Sequence, residues 1–142
     1  MPDGGSSRGL IDTSVVIGLE RIDPRTLPGE LASAAITLAE LAAGPHATDD
    51  ARERARRQQR LQLAEATFDP LPFDIECARA YGLIYAEAIR GGRKARRKRA
   101  VDLLIAATAL SSGIPLYTAN VEDFAGLDQV IEIEAVAEQP TA

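Results

Sequence analysis

Three carboxylates interrupt aliphatic, core-forming segments of this chain. They are Asp12 in Gly9-Leu10-Ile11-Asp12-Thr13-Ser14, Glu40 in Ile36-Thr37-Leu38-Ala39-Glu40-Leu41, and Asp102 in Ala100-Val101-Asp102-Leu103-Leu104-Ile105. An ionised carboxylate in apolar surroundings is costly unless it is paired or coordinates a cation. Three of them on separate segments point to one acidic pocket that holds a divalent metal ion.

Each residue also has a plainer role to set beside that one. Asp12 could cap the helix that follows it, although Thr13 and Ser14 are better placed to do so. Thr37-Leu38-Ala39-Glu40 matches a capping box, in which the Glu side chain reaches back to the cap's amide. Cap and site therefore compete for Glu40. Asp102 follows Lys98 and Arg99 by four and three residues, the spacing of a helical ion pair. Against that, Ala106 and Ala109 favour close packing on a sheet, which would aim Asp102 at the strand ends. In Tyr117-Thr118-Ala119-Asn120-Val121-Glu122-Asp123-Phe124, Asn120 suits a helix N-cap and Asp123 its third position, so capping and a site role stand even for this pair. His46, the only histidine, follows Gly44-Pro45 in a turn and reads as solvated. That weighs against histidine acid–base chemistry and against a Cys/His zinc site.

The elements that must position these residues alternate between strand and helix. Gly9–Asp12 reads as a buried strand, followed by a helix from Ser14 to Arg21. Ala34–Thr37 is expected to be a second strand and Thr37–Ala43 a short helix stopped at Gly44-Pro45. Residues 49–67 form a charged helix, and Pro70–Phe73 an edge strand, where proline is tolerated. Asp74 caps a helix that ends at Gly91-Gly92, and a long helix spans about residues 95–112, closed by Gly113. Ile114–Thr118 is a strand, Val121–Gly126 a short helix and Val130–Ile133 a last strand. The alternation implies an α/β fold, a three-layer α/β/α sandwich around a central parallel sheet. Ligands of such open sheets gather at the carboxyl ends of the strands. Asp12, Glu40, Asn120 and Asp123 all follow strands closely.

With 142 residues and no linker or repeat, the chain is expected to be a single domain over 1–142 with its ordered core at about 9–134. Aromatic residues make up only 4% of it, so the core must be built from Leu, Ile, Val and Ala. Cys77 is alone and has no partner for an internal disulfide, which fits a reducing compartment. The start lacks the apolar stretch of a signal peptide, and no window is apolar for long enough to span a membrane. A cytoplasmic protein is expected. The net charge of −5 argues against a nucleic-acid binder until its distribution is read. Residues 90–99 carry seven cations and no acid, whereas 103–142 carry six acids and no Lys or Arg. Beside an acidic metal pocket, Arg93, Lys94, Arg96 and Arg97 become candidate phosphate contacts. The arginines between Arg52 and Arg60 wind round their helix and are expected to be mostly solvent-facing, with some flanking a substrate groove.

The frames around Asp12, Glu40, Asp102 and Asn120 occur in this order in PIN-domain nucleases, and the chain most resembles the VapC toxins of bacterial toxin–antitoxin pairs over about residues 9–134. The resemblance implies that Asp12, Glu40 and Asp102 form the acidic site. The family's fourth acidic position falls on Asn120, with Asp123 nearby. It also implies Mg2+ or Mn2+ as cofactor, RNA as substrate, a homodimer, and a VapB-type antitoxin as partner. The chemistry it implies is that of a metal-dependent endoribonuclease, in which a metal-bound water would attack a phosphodiester. Asp12 and Asp102 are the expected metal ligands; Glu40 would orient a metal-bound water or complete a second ion site. Thr13, Ser14 and Thr118 would hold the carboxylates in place. Two rival readings remain. A haloacid-dehalogenase-type phosphotransferase also places an Asp at a strand end but requires a second Asp where this chain has Ser14. A catalytically weak or inactive PIN-like RNA-binding module would keep the pocket without cleaving, and Asn120 in place of an acid is its best support.

Overall fold

The computed structural model describes residues 7–90 and 97–140. Its sheet has four parallel strands in the order β2-β1-β3-β4: β1 (Arg8–Ile11), β2 (Glu30–Ala32), β3 (Leu116–Thr118) and β4 (Ile133–Ala135). The helices are α1 (Thr13–Gly18), α2 (Ala35–Ala43), α3 (Ala51–Thr67), α4 (Ile75–Arg90) and α5 (Arg97–Ser112). Successive strand residues point to opposite faces, and β1 shows both. Leu10 joins a core with Ile84 of α4, Leu103 and Ala106 of α5, Leu116 and Phe124. Ile11 joins a second core with Val15, Ile22 and Val136. The expected three layers follow from this alternation.

The buried positions of α4 are Cys77, Ala80, Ile84 and Ala88, one stripe at helical spacing. Its main packing partner is α5. Burying a side chain such as Ile84, fully enclosed here, stabilises the fold by about 2 kcal/mol. In α5 the run from Leu103 to Ala109 is buried almost all round apart from Leu104, as suits a helix with neighbours on several sides. Gly113, with φ +68°, ends it in a conformation that favours glycine.

Several boundaries differ from the expectation. The second strand is Glu30–Ala32, and Ala34–Thr37 instead starts α2, with Ala34 as its extended N-cap. The apolar run at 34–37 is thus the opening of an inward-facing helix. The expected edge strand at Pro70–Phe73 reduces to a single parallel bridge between Leu71 and Ala34. Pro70 and Pro72 have no N–H to offer, so only Leu71 joins the ladder. The last strand lies at 133–135 rather than 130–133, because the amides of Val130 and Ile131 bond back to the Leu127 carbonyl in a turn. The first helix is shorter than expected, and Leu19–Arg21 tightens into a 3-10 turn. The segment Val121–Phe124 is likewise a 3-10 turn.

Gly9 makes room for a neighbouring aromatic ring on one face of the sheet. A Cβ at this position would lie 2.5 Å from the Tyr117 ring of β3 and 2.9 Å from Pro28. Only a residue without a side chain lets that ring lie across β1.

Candidate active site

β1 and β3 are neighbours, and their register sets Ile11 beside Tyr117. The next residues, Asp12 and Thr118, therefore emerge together at the carboxyl edge of the sheet. Asp12 is 4% exposed and Thr118 fully buried. The Thr118 hydroxyl donates to Asp12 Oδ2 at 2.6 Å. Oδ1 accepts from the Ser14 hydroxyl at 2.6 Å and from the Val15 amide at 3.1 Å. Asp12 is thus itself the N-cap of α1, a role expected of Thr13 or Ser14. Ser14 instead serves Asp12 and accepts the Ala119 amide at 3.3 Å, tying α1 to the end of β3.

Burial pushes the Asp12 carboxyl above its usual range. The hydrogen bonds from Ser14, Thr118 and Val15 pull it back in part, and the charge of Asp123 pushes it up further. Asp123 therefore acts electrostatically on the same site. It is held there from α5: the Arg99 guanidinium donates to the carbonyl of Asp123 and, at 2.9 Å, to that of Ala125. Asp102, half-buried, stands three residues further along α5.

Glu40 is not part of a capping box. α2 begins at Ala35, which places Thr37 at N3 and Glu40 in the second turn. The Thr13 hydroxyl donates to Glu40 Oε1 and lies 3.0 Å from the Thr37 hydroxyl. Thr13 has one proton and gives it to Glu40, so Thr37 must donate to Thr13. The result is a directed chain, Thr37 to Thr13 to Glu40, that fixes the carboxylate from α1. Thr13 links it in sequence to Asp12. Asn120, exposed, makes no side-chain cap bond; its amide donates to the Thr118 hydroxyl at 3.0 Å.

The structure thus connects Asp12, Thr13, Ser14, Glu40, Thr118 and Asp123 through direct bonds or fields, with Asp102 one helical turn from the arginine that anchors the Asp123 loop. His46 is exposed in the turn after α2, away from these bonds. Arg93, Lys94 and Arg96 lie outside the described residues, and Arg97 opens α5. Thr37 and Arg99 were not among the residues expected from sequence. Thr37 carried a signal, a polar residue within a buried run, whereas the role of Arg99 was hidden by its basic neighbours.

Could these residues hold a metal ion? The donors are all oxygen, which suits Mg2+ or Mn2+. A cation beside Asp12 would offset the desolvation of its charge. Among the described residues no three His, Cys, Asp or Glu side chains form a ready-made ligand cluster. That is compatible with an ion such as Mg2+, which takes one or two carboxylates and keeps several waters.

The family model of the PIN domain matches residues 9–129. The chain belongs to the PIN-domain family. Among curated relatives, this PIN domain is 34% identical over 131 residues to ribonuclease VapC5 of Mycobacterium tuberculosis, covering 90% of the chain and 93% of the relative. It is 33% identical over 123 residues to ribonuclease VapC1 of Rickettsia felis, covering 81% and 87%. Among solved structures it resembles the VapBC-5 toxin–antitoxin protein of Mycobacterium tuberculosis, with TM-score 0.78, 34% identity, and 91% and 97% of the two chains covered. The parallel α/β/α sandwich of this PIN domain is the one those neighbours share. No helix among its described residues is long and apolar enough to cross a membrane.

Proposed function

We propose that this PIN domain is a divalent-metal-dependent endoribonuclease, the toxin of a VapBC-type pair, acting on cytoplasmic RNA. The observation that carries the reading is Asp12. It is a buried carboxylate at a strand end, positioned by Ser14 and Thr118 and sharing its edge with Asp123, in a chain whose relatives are ribonucleases. Asp12 and Asp102 would hold Mg2+ or Mn2+. The bound ion would lower the pKa of a coordinated water and stabilise negative charge building on the phosphate. Glu40, whose Oε1 accepts from Thr13, would take a proton from the attacking water at its other oxygen. As the water oxygen bonds to phosphorus one P–O ester bond would break, and the departing ester oxygen would leave as a hydroxyl group protonated from solvent. Ser14 and Thr118 keep Asp12 in one rotamer, and Asp123 or Asn120 completes the acidic edge.

The assemblies fit the surface. A groove of about 510 Å³ runs between the α1 end and α3, lined by Val16, Ile17, Leu63 and Phe68 together with Arg56 and Arg60. It suits the apolar face of a VapB-type antitoxin arm, since a chain laid there ends close to the site. The outer face of α4 exposes Ile75, Leu83, Tyr85 and Ile89 around the small residues Ala78, Gly82 and Ala86, which suits a homodimer pairing α4 with α4.

The deciding experiment is cleavage of RNA by the purified chain with Mg2+ or Mn2+, with excess chelator, and after Asp12→Asn or Asp102→Asn. Divalent-dependent cleavage lost in both variants, with folding intact, is the expected result. RNA binding without cleavage under any divalent ion would instead establish the inactive binding module.

A further inference from the structure

We infer that the cavity between α1, α2 and α3 is a subsite for a backbone phosphate of the RNA strand, and that Arg60 supplies its positive charge. This rests on the ribonuclease reading and adds a residue to it. The cavity, about 270 Å³, has Thr13, Glu40, Gly44, Glu53, Arg57 and Arg60 among its lining residues. The carboxylate that faces the attacking water and two arginines of α3 therefore share one space.

The two arginines are not equivalent. Arg57 is committed, with Nε on Glu53 at 2.9 Å and Nη1 on the Gly44 carbonyl at 2.9 Å. Its donors hold the α2–α3 corner together. Arg60 lies three residues further along, half-buried in the same wall. Among the described residues no carboxylate is within 4.0 Å of it. Glu53, whose carboxylate feels the Arg60 charge, already faces Arg56 at 3.5 Å and Arg57 at 2.9 Å. On this stretch of α3 one carboxylate, Glu53, serves three guanidiniums and leaves the helix positive where Arg60 lines the cavity, with Glu40 as the cavity's other acid. A partly desolvated guanidinium seeks a forked anionic partner, and a phosphodiester offers two oxygens at matching spacing. Glu40 cannot be that partner while it serves the attacking water. A strand whose scissile phosphate lies at Asp12 and Glu40 would bring a flanking phosphate into this cavity, where Arg60 would fix its register.

The test measures binding of a labelled single-stranded RNA oligonucleotide across a salt series, in an Asp12→Asn background that does not cleave. Arg60→Gln is expected to weaken binding roughly tenfold, the loss of a charge-assisted bond, and to reduce the salt slope by about 0.7. Arg60→Lys should fall between, because it keeps the charge and loses the fork. Arg52→Gln, an exposed arginine on the same helix, should leave affinity and slope near the parent's. The inference is overturned if Arg60→Gln binds like its parent, if affinity falls with an unchanged slope, or if Arg52→Gln has the same effect. Loss of antitoxin binding by Arg60→Gln with RNA binding unchanged also overturns it, and would make Arg60 an antitoxin contact. Absence of cleavage by the parent chain with any divalent ion would sink the ribonuclease reading and leave this measurement interpretable.

Discussion

Asp12 couples stability to chemistry. Its folded pKa is raised, chiefly by burial, so the protonated form is favoured in the folded chain. That contribution to stability is fully present below the unfolded value and is lost as pH rises through the folded one. Asp12→Asn removes the charge and keeps the shape. The introduced amide can accept from Val15 and Ser14 and donate to Thr118, whose oxygen can accept it. In chelator, the variant should therefore melt above the parent at neutral pH, and the difference should close as pH is lowered through the Asp12 titration. Thermal melts across a pH series check this, and a variant that melts lower at neutral pH would contradict it. Glu40 behaves differently, because it is held by Thr13 and carries no cap. Glu40→Gln should change stability by less than about 1 kcal/mol, since a partly exposed hydrogen bond is kept. RNA cleavage should fall at least about tenfold, a loss of roughly 1.4 kcal/mol or more of transition-state stabilisation. Full activity with matched denaturation midpoints would remove Glu40 from the chemistry.

At the scale of elements, α5 governs where the acidic edge sits. Arg99 ties its first turn to the carbonyls of Asp123 and Ala125, so one guanidinium fixes how that loop sits against the helix that carries Asp102. Arg99→Gln should cost about 2 kcal/mol, the range for hydrogen bonds from a charged group, read from the urea midpoint. Cleavage should drop with it, because the loop no longer holds its distance from α5. An active variant of unchanged midpoint would show that the tie is dispensable. Much of this arrangement was legible in the chain. Asp12, Glu40 and Asp102 stand out as carboxylates in aliphatic frames, and the order of strands and helices gives the parallel sheet. What could not be read was set by tertiary packing. Ala34–Thr37 has strand-like residues yet opens a helix, and Thr37-Leu38-Ala39-Glu40 has the letters of a capping box while the helix starts two residues earlier. Local pattern names an element; packing decides where it begins. The Thr13 and Arg99 bonds span 27 and 24 residues of sequence, and no local pattern encodes them.

The molecule as a whole is acidic, with its cations gathered at 90–99 and along α3. On the ribonuclease reading, RNA would approach against the net field and would be captured by those local ones. Neutralising Arg93, Lys94, Arg96 and Arg97 together should weaken RNA binding strongly and flatten its salt slope by about 0.7 for each phosphate no longer neutralised. Mn2+ binding followed by calorimetry should be retained, because none of the four is a proposed ligand. An unchanged slope would assign the grip to α3 alone. Gly9 carries a different consequence, one for heredity. Its missing side chain is what lets the Tyr117 ring cross β1, and β1 and β3 deliver Asp12 and Thr118 to within 2.6 Å of each other. A side chain there would displace the Tyr117 ring or Pro28 and so disturb the strand ends that carry Asp12 and Thr118. If the chain kills cells deprived of its antitoxin, survivors carry the mutations that disarm it. Sequencing them should recover missense changes at Gly9 alongside those at the carboxylates. Codon 9 would then mark a hidden off-switch, three residues upstream of the chemistry it disables.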